Sequence, residues 1–113
     1  GKAIRNAGIN FLTEYNYQVF PVVDGYEALS AVVEIVPDII LLDIMMPRLD
    51  GYDTCKIIRS NEKFKDTIII MVSGNDSEFD IARGKMLGAN DYITKPFKKD
   101  RLIETIRKYA VEE

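Results

Sequence analysis

The sequence predicts an α/β domain built on a parallel sheet, and three observations carry that reading. Ile39–Leu42 and Ile68–Val72 are apolar without alternation, as strands covered on both faces are. Segments with apolar residues at helical spacing lie before, between and after these runs. The resulting order is α-β-α-β-α-β-α-β-α, and strict alternation implies parallel strands joined by helical crossovers.

The elements follow in order. Residues 2–15 place Ile4, Ala7, Gly8, Phe11, Leu12 and Tyr15 on one helical face. Val19–Val23 is a β-branched run interrupted by Pro21, which predicts a strand near a sheet edge. After the break at Asp24-Gly25, Ala28, Leu29, Val32, Val33 and Val36 form a second helical stripe. Pro37 ends it, because the proline ring disfavours α geometry at Val36. A strand over 39–43 finishes on Asp43. Asp50 is placed to cap a third helix, about 51–60, with Tyr52, Cys55, Ile57 and Ile58 on its apolar side. The next strand runs to Ser73-Gly74. Ser77, with Asp80 three residues on, opens a fourth helix in a capping-box-like pattern. Gly88 suits the position just past that helix. Tyr92–Thr94 is a short strand. The last helix, about 99–110, presents Leu102, Ile103, Ile106 and Ala110 on one face. No linker, repeat or low-complexity segment interrupts the chain, so residues 1–113 read as one domain.

Composition narrows the function. Of 113 residues, 47% are apolar and 29% charged, the balance of an ordinary globular domain. A net charge of −3 argues against a nucleic-acid surface, which needs clustered positive charge. Cys55 is the only cysteine, so no internal disulfide can form, in keeping with a cytoplasmic setting. The chain has no histidine. That removes histidine metal sites, histidine general bases and Ser-His-Asp triads together. No apolar run approaches the ~20 residues of a membrane helix, and no signal peptide is visible.

Polar groups stand at three strand ends: Asp43, Ser73 and Lys95. Parallel neighbouring strands project all three from one edge of the sheet, where ligands of open α/β sheets bind. An acid, a hydroxyl and an ammonium converging there suit a phosphoryl group. Asp43 is then the nucleophile, forming a mixed anhydride. Ser73 donates to a phosphoryl oxygen and Lys95 neutralises charge. A divalent metal, Mg²⁺, normally screens such an acid from the incoming phosphate. Taken singly, each residue has an ordinary role: a turn cap, a turn, a surface lysine. Likewise Tyr92 alone is a half-buried strand aromatic, and Met45 and Met46 are loop packing. The case lies in their order and spacing.

Three segments carry a resemblance: Leu41-Leu42-Asp43-Ile44-Met45-Met46-Pro47 with Asp50-Gly51, then Met71-Val72-Ser73-Gly74, then Gly88-Ala89-Asn90-Asp91-Tyr92-Ile93-Thr94-Lys95-Pro96-Phe97. With them the chain resembles receiver domains of two-component response regulators. Residues 43–58 are particularly similar to the single-domain regulators of type IV pilus twitching motility. The resemblance implies a flavodoxin-like, doubly wound parallel sheet with strand order 2-1-3-4-5. It implies that Asp43 is the phosphoacceptor, served by a sensor histidine kinase. Ser73 is the switch hydroxyl, Tyr92 the switch aromatic that turns inward, and Lys95 the lysine of the site. A cis bond is expected before Pro96. Mg²⁺ is held by Asp43 and the Met45 backbone carbonyl, and the output surface, roughly 77–110, contacts a downstream protein target. The implied protein is a signalling switch, not an enzyme beyond promoting its own aspartyl phosphorylation and dephosphorylation. It makes no direct contact with nucleic acid or membrane.

One departure stands out. The family's first strand and the two adjacent acids after it have no counterpart, since Gly1–Arg5 resembles the start of the helix that follows them. Asp24 is not a substitute. Mg²⁺ binding is therefore expected to be weakened or lost. The chain is expected to be an N-terminally truncated receiver. The alternatives are a first strand supplied by another molecule, through a dimer or strand exchange, and a degenerate receiver without Mg²⁺. A non-phosphorylated pseudo-receiver, acting as a protein interaction module, is the second functional reading. An aspartyl-nucleophile hydrolase is disfavoured because Met occupies position 45, where such sites place a second acid. Nucleotide binding lacks its glycine-rich loop.

Overall fold

The computed structural model describes residues 9–10 and 12–110. Three parallel strands form one sheet in the order β1 (Ile39–Asp43), β2 (Ile68–Ser73) and β3 (Asp91–Thr94). The helices are α1 (described residues 9–10 and 12–14), α2 (Gly25–Ile35), α3 (Gly51–Arg59), α4 (Glu78–Met86) and α5 (Lys99–Tyr109). A 3-10 turn, Glu62–Phe64, leads into β2. This is a flavodoxin-like α/β arrangement, a parallel sheet with helices on both faces. The expected face residues Ile4, Ala7, Gly8 and Phe11 lie outside the described residues.

Strand side chains alternate between two apolar layers, which is why the apolar runs show no alternation of their own. Leu42, Ile69, Met71 and Tyr92 pack with Val32 of α2 and with Tyr52, Cys55 and Ile58 of α3. Ile70 and Ile93 pack on the opposite layer with Leu12 of α1 and Leu102, Ile103 and Ile106 of α5. The central strand β2 is buried along nearly its whole length.

One expected element does not form. Residues 17–22 run without regular structure, so the predicted strand Val19–Val23 is absent. A strand exists through its ladder, and among the described residues no strand pairs with the outer edge of β1. Pro21 also removes one donor. Tyr17 and Val19 pack on the α1–α5 layer instead. Val36 leaves α geometry before Pro37 as expected, but into the left-handed region (φ 52°), its N–H returning to the Val32 carbonyl.

Candidate functional site

The parallel register brings the three strand ends to one edge. Asp43 lies opposite Val72, and Ser73 opposite Thr94. The Lys95 N–H donates to the Ser73 carbonyl at 2.7 Å, holding the chain leaving β3 against the end of β2. The Lys95–Pro96 peptide is cis.

Asp43 and Lys95 meet directly. Lys95 Nζ lies 2.7 Å from Asp43 Oδ2, and the Met45 N–H donates to Asp43 Oδ1 at 2.9 Å. Both carboxylate oxygens are thus oriented by donors. The Asp43 side chain is 38% exposed, whereas Lys95 is only 16% exposed. The acid is reachable, and its cation lies beneath it.

The loop after Asp43 is fixed by the start of α3. Asp50 accepts from the Asp53 N–H at 2.8 Å as the cap, and the Gly51 N–H donates to the Ile44 carbonyl at 2.9 Å. A Cβ on Gly51 would sit 2.6 Å from the Asp43 carbonyl oxygen and from Ile44 Cα. Only glycine lets the helix approach the strand end this closely.

Ser73 and Tyr92 are placed differently. Ser73 is fully buried, and its Oγ accepts from the Asn75 N–H at 3.1 Å. Tyr92 lies inward, and its hydroxyl donates to the Asn75 carbonyl at 2.8 Å. The two therefore grip Asn75 of the β2–α4 loop, Ser73 at its N–H and Tyr92 at its carbonyl. A cleft of about 630 Å³ opens beside this loop, lined by Met45, Pro47, Asp50, Tyr52, Asn75, Asp80 and Arg83 among others. Tyr52 was read from the sequence only as an apolar helix residue. Its hydroxyl donates to the Asp80 carbonyl at 3.3 Å, and the Arg83 guanidinium lies 4.1 Å from its ring centroid. Burial, reinforced by the neighbouring Tyr92, raises the Tyr52 phenol above its ordinary value. The one hint in the sequence was its place directly after Asp50-Gly51.

The described residues do not by themselves complete a magnesium site. Mg²⁺ takes near-octahedral oxygen ligands. The described residues offer Asp43 and the Met45 carbonyl. Asp24 is committed elsewhere: it accepts from the Glu27 N–H at 2.8 Å to cap α2, and it pairs with Arg48 at 3.5 Å. No group of three acids suited to a metal exists among the described residues.

Comparison with known proteins identifies the family. Residues 2–107 match the response regulator receiver domain. The chain is 43% identical over 109 residues to Protein PilG of Pseudomonas aeruginosa, covering 96% of this chain and 81% of that one. The chemotaxis response regulator CheY4 of Vibrio cholerae superposes with a TM-score of 0.90 at 29% identity, over 97% of this chain and 92% of that one. The receiver domain of sensor histidine kinase PA1611 from Pseudomonas aeruginosa, a structure with magnesium coordinated in the active site cleft, gives 0.88 at 29% identity over 96% and 89%. With its sheet order, its Asp43–Lys95 pair and these relatives, the chain belongs to the response regulator receiver domain family.

Proposed function

We propose that this receiver domain is a phosphorylation-activated switch in which Asp43 accepts a phosphoryl group from the phosphohistidine of a sensor kinase. The observation that carries this is the Asp43–Lys95 pair, 2.7 Å apart at the strand-end edge with the acid facing solvent. A carboxylate oxygen of Asp43 attacks phosphorus. The P–N bond breaks, the imidazole leaves with its electron pair and takes a proton, and an acyl phosphate remains. Charge on the equatorial oxygens of the loose transition state falls beside the Lys95 ammonium, which transfers its contact from the carboxylate to the phosphoryl group. Ser73 gives its hydroxyl hydrogen bond to the same group, drawing on the Asn75 peptide that Tyr92 also holds. The β2–α4 loop is thus the two-state element. The signal passes to a protein target through the surface of roughly 77–110.

The likeness to Protein PilG supports a place among the regulators of pilus twitching motility, acting in the cytoplasm without direct contact with nucleic acid or membrane. No helix among the described residues is long and apolar enough to cross a membrane. The protein is not an enzyme beyond the turnover of its own aspartyl phosphate.

Incubation with phosphoramidate, with and without added Mg²⁺, followed by intact mass measurement, tests the assignment. The expected result is one added phosphoryl group on the wild type and none on Asp43→Asn. Equal labelling of both proteins would remove Asp43 from the role. The second reading, a pseudo-receiver that binds partners without phosphorylation, is favoured by the lack of an acid cluster among the described residues. It predicts no labelling under either condition.

A further inference from the structure

We propose that Tyr52 is a second positioning residue for α4, carrying changes at Asp43 to that helix through the first turn of α3. The proposal rests on the reading of Asp43 as phosphoacceptor.

The route starts at the backbone. Gly51 is wedged against the Asp43 carbonyl and Ile44 Cα, and its N–H is bonded to the Ile44 carbonyl. A shift of the Asp43–Ile44 peptide therefore moves the first turn of α3. Tyr52 is the next residue. It is buried, so its ring moves with that turn. The ring ends on α4, with its hydroxyl on the Asp80 carbonyl and its face under Arg83.

α4 has a small apolar footing: Ile81 and, at its C-cap, Leu87 pack half-buried on the core. Gly84 is its one buried residue, seated on Met71 and the Tyr92 ring. Two buried tyrosine hydroxyls thus hold the start of this region to the sheet layer, Tyr92 through the Asn75 carbonyl and Tyr52 through the Asp80 carbonyl. Each bond is made to a main-chain carbonyl, so each positions the backbone rather than one side chain. Because Gly84, Ile81 and Leu87 are its other core contacts, losing one such bond shifts the balance between its docked and displaced positions. By linkage, whatever displaces α4 also favours the Asp43 state that displaces it.

Amide hydrogen exchange on Tyr52→Phe, without any phosphodonor, gives the first test. Exchange across α4 is expected to rise about five-fold, the change that loss of one net hydrogen bond gives. α3 and β2 should stay at wild-type rates. Arg83→Met, which leaves the core intact, should raise α4 exchange by a smaller factor. The second test is the rate of Asp43 labelling by phosphoramidate, which a merely structural role would not move. Tyr52→Phe is expected to label several-fold faster than wild type. Unchanged α4 exchange, exchange raised equally in all elements, or an unchanged labelling rate in a protein that does label would each overturn the proposal. A wild type that does not label would instead overturn the phosphoacceptor reading, and the exchange measurement would still decide whether Tyr52 holds α4.

Discussion

α3 and α4 are each nine residues long, each carries a side-chain N-cap, and each packs on the same layer of the sheet. They are held very differently. α3 buries Gly51, Tyr52, Thr54, Cys55 and Ile58, while α4 buries Gly84 alone. Two large apolar groups of α4 face outward, Phe79 76% and Met86 86% exposed, and Ile81 packs half-buried on the core. α3 is locked to the end of β1, whereas α4 is held by Gly84, the half-buried Ile81 and a few polar contacts. A response element has to come from the weakly held end of the stability range. Under the proposed function that task falls to α4.

The largest expected effect comes from cutting a large apolar side chain in each helix. Ile58→Ala should cost about 2–5 kcal/mol in denaturant unfolding, whereas Phe79→Ala should stay within about 0.5 kcal/mol. Comparable losses would erase the distinction.

Next come the glycines. Gly51→Ala drives a Cβ into the Asp43 and Ile44 backbone, and should cost about 1–3 kcal/mol and slow Asp43 labelling. Gly84→Ala meets the flexible Met71 Sδ at 2.8 Å and the edge of the Tyr92 ring at 3.3 Å. Those side chains can yield, and alanine gains up to about 1 kcal/mol of helix propensity. Gly84→Ala should therefore leave global stability nearly unchanged, as denaturant unfolding would record.

The caps sharpen the comparison by being equal. Asp50→Ala and Ser77→Ala should each cost about 1 kcal/mol. In exchange, the Ser77→Ala loss should stay within α4, and the Asp50→Ala loss should reach the loop behind Asp43.

The smallest effect lies at β3. Burial of Asp91 opposes its ionisation, but the Tyr92 N–H, the Tyr109 hydroxyl and Lys108 outweigh that and hold the carboxyl below its ordinary value of 3.8. A depressed carboxyl contributes stability above its unfolded value and loses it as the pH falls through the folded one. Asp91→Asn should therefore lower stability at neutral pH but not at strongly acidic pH, as unfolding midpoints at the two pH values would record.

The strands and helices were legible because burial dictates pattern. Ile68–Val72 is continuous in apolarity because Ile69 and Met71 face one layer and Ile70 the other. Ser77 and Gly88 mark their helix ends through local backbone chemistry, Gly88 at a φ of 110°. Val19–Val23 misled because β-branched composition records a preference, while a strand needs a neighbour. Of the site, the strand-end groups Asp43, Ser73 and Lys95 could be placed, since register alone gathers them. Tyr52 and Arg83 could not, because their contact crosses between helices and leaves no periodic trace. Arg59 was hidden in the same way. It donates to the Gly88 and Phe64 carbonyls and to Asn90, joining α3 to the loop before β3.

Amide exchange of α3 and α4 in the wild-type protein, before and after phosphoramidate treatment, tests most directly whether phosphate on Asp43 is read through α4. Once intact mass confirms labelling, exchange in α4 is expected to change several-fold while α3 stays fixed, with no change in Asp43→Asn. A labelled protein in which α3 changes as much as α4, or in which neither changes, would contradict it.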